Sequence, residues 1–415
     1  MKNCYKFLYL IGLDRKSLAN YIRKQIASRI YNTKHSTNIK NLIQDHHYSE
    51  ATSYIENNRL TNNIEYQRYY AFCLQATGNE LATSIMCQYL KGKFSVDVEL
   101  LKEYLASKLD CDKKCIQYLY QGGMGNFGNF LIKDLEGKNA RIAKIINASQ
   151  YSNEEMFYTR IIDLFNSDHF FIPQFYGSYL YKQKVKVLLT EYVEPKLVDS
   201  SCDCYVIEAV RSMKVIRFSS ANFPIDKKHL YSGNSEIGNL HHPLTLKMML
   251  ERQIGILSRT QGSEELQAKL VDLYSNILTK RIFKLLDPDI HYSFCHNDFH
   301  RKNMFMTEDG SIKVFDWNNY RFGLNGWDLA YYWGNFERTL FEIDDLYMSR
   351  EYLSYNDEEL GNTWKVFFLI CLIYVWIARL HGNSVSVYMS DYFMPAISRA
   401  HMTINCLMEN KGVDK

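Results

Sequence analysis

The 415 residues lack several features that would place a protein at once. Basic and acidic side chains nearly cancel, 49 Lys and Arg against 46 Asp and Glu, so no cationic excess points to a nucleic-acid partner. None of the ten cysteines forms a C-x-x-C pair; the only close sets, Cys111/Cys115 and Cys202/Cys204, do not suit a zinc site. With scattered thiols and no secretory leader, the expected setting is a reducing cytoplasm rather than a disulfide framework. No apolar run reaches the roughly 20 residues that cross a bilayer. The longest, Val366–Ala378, is therefore expected to be the buried helix of a large domain.

The length leaves room for two or three domains. Before Asp45 the basic residues Lys2, Lys6, Arg15, Lys16, Arg23, Lys24, Arg29, Lys34 and Lys40 face only Asp14 and Asp45, while Leu18, Ile22, Ile26 and Ile30 recur at helical spacing. A basic amphipathic helix of this kind packs on neighbouring helices or lies on an anionic membrane, which leaves a membrane-peripheral location open. From Asn38 to Asp110 the pattern is helical without strands. Ala51-Thr52-Ser53 recurs as Ala82-Thr83-Ser84, each opening an apolar helical face, which resembles tetratricopeptide-like repeats. Residues 1–112 are thus expected to be an all-helical domain that binds a protein partner or stabilises the domain C-terminal to it.

The chemistry gathers in His296–Trp317, HNDFHRKNMFMTEDGSIKVFDW. Asp298 stands two residues after a His and five before Asn303. A turn at Glu308-Asp309-Gly310 then leads into an apolar strand ending at Asp316, so a hairpin would set Asn303 beside Asp316. An amide and a carboxylate can hold Mg²⁺ against a nucleotide triphosphate, while a second carboxylate orients or deprotonates a hydroxyl. The pattern H-x-D-x-x-x-x-N, an apolar strand, then Asp, resembles the catalytic and metal loops of the aminoglycoside phosphotransferase and choline kinase-like family. That resemblance implies a protein kinase-like fold.

An independent motif lies upstream. Gly123, Gly125 and Gly128 form G-x-G-x-x-G after the alternating Ile116, Tyr118 and Tyr120. Dinucleotide binding would need a helix opening at the third glycine, whereas Phe130–Ile132 and the turn at Glu136-Gly137-Lys138 read as a strand and hairpin. A glycine-rich hairpin can fold its backbone N–H groups over triphosphate, with Phe127 at the tip excluding water. Lys144, in the apolar strand Arg141–Ile145, is placed to reach the α- and β-phosphates if a carboxylate holds it. Glu154 and Glu155 are the candidates; family members often carry a Glu shortly before Phe-Tyr, which favours Glu154. The resemblance further implies a hinge after Val185–Thr190, where main-chain groups of Glu191 and Val193 read adenine.

Downstream, the long stretch 196–292 is implied to help build the acceptor pocket, and no Ala-Pro-Glu closes a protein-kinase activation segment. Asp328 in Gly326-Trp327-Asp328-Leu329-Ala330 resembles the family's structural Asp-Leu-Ala turn, and capping of the following helix is the role expected of it. Where many relatives carry Pro-Gly before the Asn, this chain has Arg301-Lys302, and Lys302 can neutralise the transferring phosphoryl group. His296 is expected to support the loop rather than take protons. Acids from Asp328 to Glu359 can attract a cationic acceptor, and the 32 tyrosines keep a sugar or glycan open.

The expected architecture is α+β: a bilobal protein kinase-like fold, with a small antiparallel-sheet lobe over 113–194 and a large helical lobe over 195–415, preceded by the helical domain. The expected activity is ATP- and Mg²⁺-dependent transfer of the γ-phosphate to a hydroxyl of an amino alcohol, aminoglycoside or sugar. Two alternatives are a protein kinase-like enzyme that recruits its substrate through the N-terminal helices, and a nucleotide-binding scaffold without turnover.

Overall fold

A computed structural model of the chain describes residues 34–43, 46–120, 126–133, 140–148, 153–165, 170–194, 203–219, 240–336, 338–343, 358–380 and 384–409. Leu18, Ile22, Ile26 and Ile30 of the basic amphipathic segment, and Gly123 and Gly125, lie outside these. The chain divides into two compact units, Met1–Ile132 with Lys144–Asn147 and Leu180–Lys186, and the remainder.

In the first unit, helix α1 (Tyr48–Asn57), α2 (Ile64–Ala76), α3 (Leu81–Phe94) and α4 (Val98–Leu109) follow one another through short turns. Asn63 and Asp97 start α2 and α4 by accepting the N–H of Glu65 (3.1 Å) and Glu99 (3.0 Å), since the first amides of a helix have no partner within it. Ala51 and Ala82 of the repeated triplet are buried while Ser53 and Ser84 are exposed, so the two copies face inward alike. The expected helical segment is present.

Strand β1 (Ile116–Leu119) pairs antiparallel with β2 (Asn129–Lys133), Ile116 opposite Ile132 and Leu119 opposite Asn129. With β3 (Ala140–Asn147), β4 (Phe175–Tyr181) and β5 (Val185–Glu191) they form one sheet in the order β1-β2-β3-β5-β4. The glycine-rich segment therefore joins two paired strands, and no helix opens at Gly128, which excludes the dinucleotide alternative. Phe127 corrects an expectation. It is 2 % exposed, its ring lies against Tyr89 and Phe94 (centroids 5.9 and 5.2 Å), and the Arg68 guanidinium sits over it at 5.4 Å. An apolar ring with helices α2 and α3 within reach gains more from burial than from guarding a loop tip.

In the second unit, a short helix α5 (Asn153–Met156) runs on as irregular helical turns to Phe165. After it come α6 (Asp203–Ser219), α7 (Pro243–Leu257), α8 (Glu264–Thr279), α9 (Trp327–Trp333), α10 (Glu358–Ala378) and α11 (Met394–Glu409). The core centres on α10, where Trp364, Phe367, Phe368, Ile370 and Trp376 are all fully buried. By length and mean hydropathy (1.7) α10 would pass for a membrane span, yet 78 % of its most apolar window is buried in the protein, as expected of a core helix. Two small ribbons complete the unit: β6 (Tyr292–Cys295) antiparallel with β9 (Arg321–Leu324), and β7 (Met304–Met306) antiparallel with β8 (Ile312–Val314). The element order is a helical N-terminal segment, a five-stranded sheet that contains an antiparallel ribbon, and a mostly helical remainder.

Candidate active site

The β7–β8 ribbon forms where the sequence predicts it. Gly310 takes φ +85° in its turn, and the Asp309 carboxylate accepts from the Thr307 hydroxyl and the Ser311 amide, which together lower its pKa to about 2. Met304 pairs with Val314, and the Phe315 N–H donates to the Asn303 carbonyl at 2.8 Å. This register puts Asn303 opposite Phe315, with Asp316 the next residue at the same end of the ribbon.

The loop between β6 and β7 carries Asp298. Its main chain is clamped from both ends: the Asp298 N–H donates to His296 Nδ1 (3.2 Å), and Asn303 Nδ2 donates to the Asp298 carbonyl (3.0 Å). Asn303 Nδ2 also reaches Asp298 Oδ2 at 3.3 Å, and His300 Nε2 lies 3.4 Å from Oδ1. Both carboxylate oxygens are thereby held in direction. Because His296 Nδ1 accepts, its proton sits on Nε2, which donates to the Phe315 carbonyl at 2.8 Å. His296 is completely buried, and desolvation depresses its pKa to about 4, so it stays neutral and ties the Asp298 loop to the Asp316 strand. That is the supporting position expected of it.

Two non-glycine residues here adopt left-handed backbone, Asn297 at φ +66° and Asp316 at φ +61°. Such conformations cost on the order of 1 kcal/mol and persist where surroundings enforce them. Asp328 does so at Asn297. Its carboxylate accepts the N–H groups of His296 and Asn297, each at 2.8 Å, and burial raises its pKa to about 6 against the pull of those bonds and of Arg321. The expectation that Asp328 caps its own helix is therefore corrected: α9 opens at Gly326 with no side-chain cap, and the carboxylate turns back to the loop amides. Trp317 fixes the Asp316 side. It is fully buried, donates Nε1–H to the Val314 carbonyl (2.7 Å) and stacks on Phe157 at 4.1 Å and 3°.

Phe157 belongs to the stretch that α5 begins, and Asn153 Nδ2 donates to the Asn318 carbonyl (3.1 Å), so α5 lies against the turn just after Asp316. Glu154 on α5 is 6 % exposed, whereas the Glu155 carboxylate accepts from the Ser178 hydroxyl at 2.5 Å. Burial pushes the Tyr158 hydroxyl well above its ordinary pKa, and the charges of Glu154, Asp316 and Glu191 add to the rise, which makes those three carboxylates its neighbours. Glu191 is already engaged: its N–H donates to the Gln174 carbonyl (2.8 Å), and its carboxylate accepts from the Gln174 amide (3.0 Å) and meets Lys313 Nζ (3.3 Å). Lys144 is half-buried in β3, and Gly128 takes φ +106° at the start of β2. Lys302 is exposed on the turn after His300, whose Nδ1 accepts the Lys302 N–H at 3.1 Å.

Among the described residues no cluster of three His, Cys, Asp or Glu could hold a metal unaided. Mg²⁺ beside a nucleotide needs only one or two protein oxygens, the phosphates and water supplying the rest. Asn303 could meet that demand with Oδ1, its Nδ2 being committed to Asp298, and the Asp316 carboxylate could add a second oxygen. Two of the acids expected to draw a cationic acceptor are engaged within the fold. Asp328 is buried under the loop, Glu342 folds onto the Thr339 amide and hydroxyl (2.7 and 2.8 Å), and Glu337, Asp344, Asp345, Glu351 and Asp357 lie outside the described residues.

Tyr331 and Arg379 were not expected. Burial raises the pKa of the Tyr331 hydroxyl and the charge of Asp298 adds to the rise, while Arg379 stands over the ring at 4.6 Å. Neither falls in a motif, and only the meeting of α9 with the end of α10 brings them to Asp298.

Residues 244–360 match the phosphotransferase enzyme family. The matched segment contains His296, Asp298, Asn303, Asp316 and Asp328, and leaves out the glycine hairpin, Lys144 and Arg379. Solved structures similar to this chain include a choline kinase from Cryptosporidium parvum Iowa II, 14 % identical, covering 76 % of this chain and 95 % of its own with a TM-score of 0.44. The choline kinase LicA from Streptococcus pneumoniae is 17 % identical over 74 % of this chain and 98 % of its own, TM-score 0.40. Aminoglycoside phosphotransferase APH(4)-Ia, in complex with ADP and hygromycin B, is 12 % identical over 76 % and 99 %, TM-score 0.42. No curated protein matches the chain.

Proposed function

We propose that the protein is a small-molecule kinase that uses ATP and Mg²⁺ to phosphorylate a hydroxyl group. The observation that supports this is the single side chain of Asn303, whose amide nitrogen holds Asp298 while the ribbon puts Asn303 opposite Phe315, the residue just before Asp316. Phosphoryl transfer depends on positioning and charge neutralisation more than on a strong nucleophile, and this group supplies both. Asn303 and Asp316 would hold Mg²⁺, which when bound neutralises phosphate charge.

Asp298 orients the acceptor hydroxyl and takes its proton as the oxygen bonds to the γ-phosphorus and the bond to the β-phosphate oxygen breaks, releasing ADP. Lys144 would contact the α- and β-phosphates, with Glu154 as its partner in preference to Glu155, because Ser178 already engages Glu155. Gly123, Gly125 and Gly128 would cover the phosphates, Glu191 and Val193 would meet adenine through the main chain, and Lys302 would steady the transferring group. The family match over the catalytic loop supports the same reaction class.

The test is ADP release against a panel of amino alcohols, aminoglycosides, sugars and hydroxy acids, with Asp298→Asn alongside. Turnover should fall by about 10²–10⁴ in the variant while nucleotide binding persists. Nucleotide binding without turnover by the unaltered protein would identify a scaffold instead.

A further inference from the structure

Arg379 comes directly after the last turn of α10, its N–H donating to the carbonyls of Val375 (3.1 Å) and Trp376 (3.0 Å). Its guanidinium bonds to Asn335 Oδ1 and lies over the Tyr331 ring at 4.6 Å. Tyr331 thus stands between that cation and the carboxylate expected to face the acceptor hydroxyl, and the charges of both Arg379 and Asp298 act on its hydroxyl. His300 closes the other side, 3.4 Å from Asp298 and 6.1 Å ring to ring from Tyr331. Among the described residues Arg379 makes no ion pair; neutral groups fix it in direction without cancelling its charge.

The neighbouring rings are occupied in the same way. Tyr331 lies 5.8 Å from Trp327, and Trp327 lies 6.3 Å from Tyr374. Arg321 stands over Trp327 at 5.4 Å and Arg252 over Tyr374 at 5.8 Å. A substituted ammonium is recognised by bare aromatic faces and nearby carboxylates. Here each ring of the group already carries an arginine of the chain itself, and another cation would meet like charge.

We infer that Arg379, held by Asn335 and Tyr331 beside Asp298, selects an acceptor that carries an anionic group, a carboxylate or a phosphate, close to the hydroxyl it presents. Arg379 binds that anion as a planar donor, and Tyr331 sets the distance between it and Asp298. This rests on the phosphotransferase function proposed above and narrows its acceptor to an acidic hydroxyl compound.

The experiment uses four compounds with one carbon skeleton: glycerate, glycerol 3-phosphate, glycerol and 3-aminopropane-1,2-diol. Binding to the full chain with ADP and Mg²⁺ is monitored by ligand-observed NMR, and ADP release from ATP is measured in parallel. Glycerate or glycerol 3-phosphate should bind at least about tenfold more tightly than glycerol, with the amine weakest, and whichever leads tells carboxylate from phosphate. Arg379→Gln should reduce the acid-to-glycerol ratio by about tenfold through KM, and Arg379→Lys should restore part of it. Equal binding of acid and amine, or an unchanged ratio in Arg379→Gln, overturns the inference. An equal fall for all four compounds in kcat alone also overturns it, placing Arg379 on the transferring phosphoryl group. Selective acid binding with no ADP release from any compound upholds the anion subsite and refutes phosphoryl transfer instead.

Discussion

The Asp328 carboxylate receives the backbone N–H of His296 at 2.8 Å, and the two side chains have opposite responses to acid. Neutral His296 is built into the fold with its pKa near 4, while the unfolded chain protonates it below about pH 6.5, so falling pH across that window destabilises the protein. Asp328 has its folded pKa raised to about 6, above 3.8 unfolded, so the native state gains a proton and stability over nearly the same window. The two effects offset one another. Asp328→Asn removes the second, and its unfolding free energy should then drop by up to about 3 kcal/mol between pH 6.5 and 4, with the unaltered protein much flatter. Urea unfolding at several pH values measures this; a parallel pair of profiles would sink it. His300, whose pKa burial also lowers, adds in the same direction as His296.

Asn303→Ala removes one proposed metal oxygen and both bonds to Asp298. Activity should fall at least about 10²-fold at fixed Mg²⁺. Part of the loss should return as Mg²⁺ is raised, because metal affinity is one of the two things removed; Asp298→Asn, which leaves the metal oxygens in place, should show no such recovery. Titrating Mg²⁺ against initial rate separates the two variants.

Trp317→Ala deletes the ring that stacks on Phe157 at 4.1 Å and leaves a buried gap beneath Asp316. A loss of about 3–5 kcal/mol is expected in denaturant unfolding, and Trp317→Phe should recover most of it. A cost below about 1 kcal/mol for the alanine variant would mean that the turn does not depend on this stack.

Gly128→Ala tests why the third glycine of the motif is there. A Cβ at Gly128 would stand 2.5 Å from the Tyr118 hydroxyl, and φ +106° is a conformation that side chains rarely adopt. A destabilisation of about 1–3 kcal/mol is expected without any nucleotide present. Tyr118→Ala in the same chain should relieve only the contact, leaving the backbone strain, and differential scanning calorimetry of the apo variants decides it.

The ribbon within His296–Trp317 was legible because its contacts are local. Asp298 and Asn303 share one loop, and a two-strand ribbon with Asp309 and Gly310 in its turn pairs Met304 with Val314 and so sets Asn303 opposite Phe315. The helices of the first unit were legible for the same reason, their caps and apolar spacing being properties of neighbouring residues. Phe127 was misplaced because an aromatic beside glycines looks the same whether it covers a loop or fills a cavity; Arg68, Tyr89 and Phe94 decide which, from 33 to 59 residues away. Asp328 was misassigned because a carboxylate in the first turn of a helix normally serves that helix, and nothing in the local order of residues says that two loop amides 31 and 32 positions earlier lie closer.

The amino-acid sequence by itself determined the local frame of the groups proposed for phosphoryl chemistry, since that is fixed by residue type and by spacings short enough for one turn or ribbon to enforce. Only the tertiary structure decided what surrounds them: that His296 is buried and neutral, that Asp328 braces the loop, and that Arg379 reaches Tyr331 next to Asp298. Such contacts join segments tens of residues apart, and their existence depends on how α9 and α10 pack rather than on any preference of the residues themselves.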